Sequence, residues 1–125
     1  MDQTTQDFKI VAKTDVTTAC AVIRQWWQEA KLPRKEEMTD DLPTVLRAVF
    51  HVKDRLDEAR FEIELGVKEE RGATMISISF LYNLYVRTAN DVAKEVVCGM
   101  ASEFKKRNIE CEVRTGFLLR KKYEC

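Results

Sequence analysis

The chain has 125 residues, 45% apolar and 34% charged, with only four Gly and two Pro, which excludes a disordered polymer and suits a single α+β domain over 1–125 with its own core. Its 21 bases balance 21 acids, so no net charge draws it toward nucleic acid or a membrane. No apolar run reaches the about 18 residues of a membrane-spanning helix, and Met1 to Gln6 is polar; the expectation is a soluble intracellular, cytoplasmic protein with no transmembrane segment.

Residues 7–13 predict a first strand, Phe8, Ile10 and Ala12 alternating against Lys9, Val11 and Lys13. A helix follows. Asp15 is its candidate N-cap, and Val16, Ala19, Cys20, Ile23, Trp26, Trp27 and Ala30 recur at helical spacing until Pro33 stops it after Leu32. One indole of Trp26-Trp27 belongs on this stripe and the other at its boundary. The stretch Arg34–Asp41 is polar apart from Met38 and reads as an exposed connection.

Residues 42–59 fit two templates. As a strand, Leu46, Ala48, Phe50 and Val52 share one face, with Arg47 and His51 on the other. As a helix, Leu42, Val45, Leu46, Val49, Val52, Leu56 and Ala59 form a stripe. The β-branched density at Thr44, Val45, Val49 and Val52 favours a strand over 44–53.

Residues 60–68 and 73–82 predict a hairpin across Glu69-Glu70-Arg71-Gly72, where Gly72 can supply positive φ. Phe61, Ile63, Leu65 and Val67 alternate with Glu62, Glu64, Gly66 and Lys68; Ile76, Ile78 and Phe80 point in, Ser77 and Ser79 out. Asn83–Arg87 leads to a long helix opened by a Thr88/Asp91 capping box. It carries Ala89, Val92, Ala93, Val96, Val97, Met100, Ala101 and Phe104 on one face and stops at Asn108. A last strand over 110–121 would place Cys111, Val113, Thr115, Phe117 and Leu119 together.

One-sided strands and one-sided helices need each other. The expected fold is an α+β two-layer sandwich in the order β-α-β-β-β-α-β: two helices on one face of a mostly antiparallel sheet of four or five strands. If 42–59 were helical, a third helix and a ferredoxin-like variant, β-α-α-β-β-α-β, would result.

Little in the chain points to chemistry. His51 falls on a polar face under either template, and no His, Cys and carboxylate set has metal-ligand spacing. Gly66, Gly72, Gly99 and Gly116 are isolated, so no phosphate-cradling loop exists. Glu62 and Glu64 read as a solvated sheet face. Of the four cysteines, Cys20 and Cys111 read as small buried hydrophobes, Cys98 lies beside Gly99 where close packing is expected, and Cys125 as an exposed terminus. Without a secretory segment, disulfides are not expected. No catalytic residue, metal site or cofactor follows. Tyr82 and Tyr85 flank a loop, but outward Glu62, Glu64, Ser77 and Ser79 do not make a base-stacking platform.

Two surfaces remain. The outer sheet face, with Val11, Met75, Leu81 and Leu118 among polar neighbours, is the candidate contact for a protein partner or for self-association. Seven bases against Glu110 and Glu112 crowd residues 105–122. Of these, Lys105, Lys106, Arg107, Arg120, Lys121 and Lys122 form a candidate site for an anionic partner (nucleic acid, lipid headgroup or phosphoprotein), or merely protect a sheet edge. A single long strand would hold the two halves of that cluster far apart. The expected function is a non-enzymatic interaction module; anion binding is the first alternative, and a ligand-binding or enzymatic cavity between helices and sheet the second.

Overall fold

The computed structural model describes residues 3–54, 57–83 and 89–125. The order is β1 (Gln3–Ala12), α1 (Val16–Glu29), β2 (Glu36–Asp41), β3 (Val45–Asp54), β4 (Asp57–Glu70), β5 (Ala73–Asn83), α2 (Ala89–Lys106), β6 (Cys111–Thr115), a short 3-10 turn (Phe117–Leu119) and β7 (Lys121–Tyr123). The class is α+β with two helices, as expected. The sheet is larger than expected: seven strands in the order β2-β3-β4-β5-β1-β6-β7, every neighbouring pair antiparallel.

Alternation decides which face is buried. Phe8, Ile10 and Ala12 of β1 align with Ile78, Ile76 and Thr74 of β5, and Ile63 and Leu65 of β4 with Phe80 and Ile78. These residues are buried, in one cluster with Ala19, Cys20, Ile23, Trp26 and Trp27 of α1 and Ala93, Val96, Val97, Met100 and Phe104 of α2. Both helices therefore lie on the inner face, where Phe50 stacks on Phe61 at 5.3 Å and Phe8 meets Phe80 edge-on at 6.0 Å. Thr74, buried among them, donates its hydroxyl to the Thr14 carbonyl at 2.8 Å.

The helix ends follow from local chemistry. Asp15 caps α1, its carboxylate accepting the Thr18 N–H at 2.9 Å, and hydrogen bonding to the Thr18 side chain first, and to its N–H next, holds the Asp15 carboxyl below its ordinary value. At the other end, Lys35 donates to the Trp27 and Ala30 carbonyls at 2.7 and 3.3 Å and lies over the Trp27 ring. Both indoles are buried, not one at a boundary. An ideal Cβ at Gly99 would lie 3.2 Å from Trp26 Nε1, so this glycine of α2 makes room for the ring of α1. The α2 helix ends at Asn108, whose φ of 58° is a left-handed cap, with the Ile109 N–H bonded to the Phe104 carbonyl at 3.0 Å. Thr88 of the expected capping box, Tyr85 and the connector 84–87 lie outside the described residues.

Three expectations need correction. First, Arg34–Asp41 is not all connection: Glu36–Asp41 forms β2, paired among the described residues only with β3 and carrying a bulge between Glu37 and Thr39. An edge strand with water beside it needs no apolar alternation, so it leaves no period to read. Within the ambiguous 42–59, residues 45–54 form strand β3 and 57–59 open β4, which removes the third helix and the ferredoxin-like order; Leu56 lies outside the described residues.

Second, residues 110–121 are not one strand. Gly116 (φ 82°), Leu118 (56°) and Leu119 (54°) occupy the left-handed region and turn the chain back, so that β7 pairs with β6 through Lys122↔Arg114 and Tyr123↔Val113. Third, Cys125 is exposed but bonded to Cys98, tying the tail to α2. Such bonds persist in oxidising surroundings. Cys20 is buried and Cys111 half-buried, and burial raises both thiols above their ordinary value.

Candidate protein-contact face

The outer face of the sheet is built from the residues that alternate away from the core. Its cross-strand rows follow from register: Arg47, Glu64, Ser79 and Asp7 form one, and Val45, Gly66, Ser77, Lys9, Arg114 and Lys122 the next. Gly66, Ser77 and Ser79 are small, so the middle of this face is low. Ser79 donates to Asp7 at 2.7 Å and Arg47 to Glu64 at 3.1 Å. Thr115 Oγ1 donates to the Asp7 carbonyl at 3.3 Å, which anchors the end of β6 beside β1.

From that anchor the 3-10 turn curls over the low region. An open cavity of about 290 Å³ results, lined by Asp7, Ser77, Ser79, Gly116, Leu118 and Leu119 with the Phe8 and Ile78 positions at its floor. Leu118 stands at this cavity with 63% of its surface exposed, alone among the described large apolar residues in being exposed. A leucine at φ 56° costs about 1–2 kcal/mol relative to an ordinary conformation, and backbone strain of this kind concentrates where a surface has work to do.

The four apolar residues singled out for this face are not contiguous. Val11 and Met75 pair with each other toward one end of the sheet, where Met75 is buried, with only 9% of its surface exposed, and Val11 is half-buried. Leu81 is half-buried six residues further along β5, beside Glu62. Leu118 joins neither group and stands over the cavity. Asp7, Ser77, Ser79 and Leu119 were missed by the sequence reading. The hairpin register, which sets Gly66 opposite Ser77, is the signal that could have found the low centre.

The basic cluster is divided. Lys106 and Arg107 both reach Glu103, at 3.3 and 2.8 Å, and Arg107 also bonds Gln25 of α1 at 2.8 Å. The Arg107 hydrogen bond holds the Glu103 carboxyl below its ordinary value. The reversal of the chain after β6 does bring Lys122 to Lys105: both line a cavity of about 170 Å³ with Glu112, Tyr123, Glu124 and Cys125. Two carboxylates share that cavity, and Lys122 lies 3.9 Å from Glu124. Lys121 opens β7 and Arg120 precedes it, and neither lines the cavity that joins Lys105 to Lys122.

His51 is half-buried on the outer side of β3 opposite Arg60, its backbone N–H bonded to the Pro33 carbonyl at 2.9 Å. Glu62 bridges Arg60 at 3.5 Å. Among the described residues no group of His, Cys, Asp and Glu is placed to hold a metal ion, and no helix is long and apolar enough to cross a membrane. No protein-family model and no curated protein matches this sequence.

Proposed function

We propose that this chain is a non-enzymatic interaction module whose outer sheet face receives an extended segment of another protein, anchored by an apolar side chain beside Leu118. The observation that carries this reading is the exposed, left-handed Leu118 at the mouth of an open cavity of about 290 Å³. Its lip, formed by Leu118 and Leu119, suits an aliphatic group, and the Asp7, Ser77 and Ser79 polar atoms suit the backbone N–H groups of an extended chain. Divided bases, two of them already paired with Glu103, offer an anionic partner less.

A displayed library of random peptides panned against the wild type tests this. Enriched sequences are expected to share one apolar residue flanked by backbone-exposing small residues, and Leu118→Gly should lose them. Glycine accepts positive φ, so the same variant should be about 1 kcal/mol more stable in urea melts. A gain in stability together with a loss of binding is the signature of strain kept for function. If no peptide family is enriched, or Leu118→Gly retains the same binders, the reading fails.

A further inference from the structure

The geometry points to a second copy of this chain as the partner of the sheet's two edges, with β2 of one molecule joining β7 of the next in a head-to-tail row. The inference is independent of the outer face and rests on strand order. Among the described residues β2 pairs only with β3 and β7 only with β6, so each presents unpaired backbone N–H and C=O groups. The two edges carry opposite charge. Glu36, Glu37, Asp40 and Asp41 lie on β2 with no base among them; Arg120, Lys121 and Lys122 enter and form β7 with no acid until Glu124.

Asp40 is committed to Arg24 at 3.0 Å, but Glu36 and Asp41 are exposed, as are Arg120, Lys121 and Lys122. The zero net charge of the chain thus conceals a sheet polarised from one edge to the other. With six strand spacings between them, the edges stand about 29 Å apart. That is several times the Debye length of about 8 Å at physiological ionic strength, so each edge presents its own charge outward.

Charge also decides the symmetry. A two-fold dimer through one edge would lay β7 against β7 or β2 against β2, placing like charges opposite one another. Only β2 against β7 sets carboxylates against ammonium and guanidinium groups. That contact is heterologous, so it repeats without closing unless the rotation between copies closes a ring. The β7 strand is three residues long and β2 is bulged, so each join holds few backbone hydrogen bonds and depends on charge. The expected assembly is weak, graded with concentration and dissolved by salt.

Light scattering on the whole chain at about 0.01 M and about 1 M salt, where the Debye length falls from about 30 to about 3 Å, provides the test. At low salt the mean mass is expected to climb with concentration past that of a dimer, and at high salt to return to 14.6 kDa. Lys121→Glu with Lys122→Glu makes both edges acidic, and Glu36→Lys with Glu37→Lys and Asp41→Lys leaves Asp40, already held by Arg24, as the last acid of β2 and makes both basic. Each variant alone should remain monomeric, while an equimolar mixture should assemble. Hydrogen exchange on the wild type needs no variant: amides of 36–41 and 121–123 should slow together as concentration rises. A mass that stays monomeric at low salt, stops at a dimer, or is unaltered in either charge-reversed variant overturns the inference, as does exchange at both edges that is independent of concentration.

Discussion

The two faces of this sheet share a backbone and differ in everything the backbone does not decide. Ile76, Ile78 and Phe80 alternate along β5 with Ser77 and Ser79, so each residue pair places a buried hydrocarbon behind a hydroxyl that meets water or a carboxylate. The inner face is filled by two helices and leaves its aromatic rings in contact. The outer face carries no helix; the 3-10 turn leans over part of it, and Val49 and Met75 are buried elsewhere on it. Stability therefore sits on one side, and the residues available for recognition on the other.

The largest effects should come from the inner face. Phe104→Ala deletes a fully buried ring from the last turn of α2 and should cost about 3–5 kcal/mol, and Ile78→Ala about 2–5 kcal/mol. Urea denaturation with unchanged slope is the measurement. Midpoints near wild type for both would mean that the helices do not cover this face as described.

Next in size is the bond between Cys98 and Cys125, which closes a loop with a sequence separation of 27. Loop-closure entropy gives about 3–4 kcal/mol for such a link as an upper value. Cys98→Ser with Cys125→Ser should lower the urea midpoint by up to that amount while leaving inner-face packing intact. If the double variant melts with the wild type, the tail contributes nothing to the fold. Cys20 and Cys111, raised by burial, should meanwhile alkylate more slowly than a free thiol at neutral pH.

What the sequence disclosed tracks these two faces. Residues bordering the core on one side and water on the other leave a period of two, which is why β1, β3, β4 and β5 could be read with their faces. The β2 strand has water beside it and a bulge within it, and its run of acids looks like a loop. The turn after β6 was hidden for a different reason. Phe117, Leu118 and Leu119 carry none of the Asn or Asp that usually marks left-handed backbone, and only Gly116 hints at it. With that reversal unseen, Cys125 could not be placed on α2, Lys122 could not be placed beside Lys105, and Leu118 passed for one more outward strand residue. Candidate chemistry on the outer face was legible by residue type but not by location, because it depends on where a three-residue turn lands.

The smallest expected effect tests the outer face directly. Ser79 is the neighbour of Ile78 in sequence but faces away from the core, and its hydroxyl donates to Asp7 at 2.7 Å. Ser79→Ala removes that donor from a half-buried, water-accessible site, so Asp7 can turn to solvent and the cost should stay under about 1 kcal/mol. The contrast with Ile78→Ala, one residue away and several times larger, measures the asymmetry between the faces. Ser79→Ala should still weaken any peptide held beside Leu118, because it removes a polar atom from the cavity wall without altering the core. A cost equal to that of Ile78→Ala would show that the outer face is packed rather than open, and the contact reading would lose its physical basis.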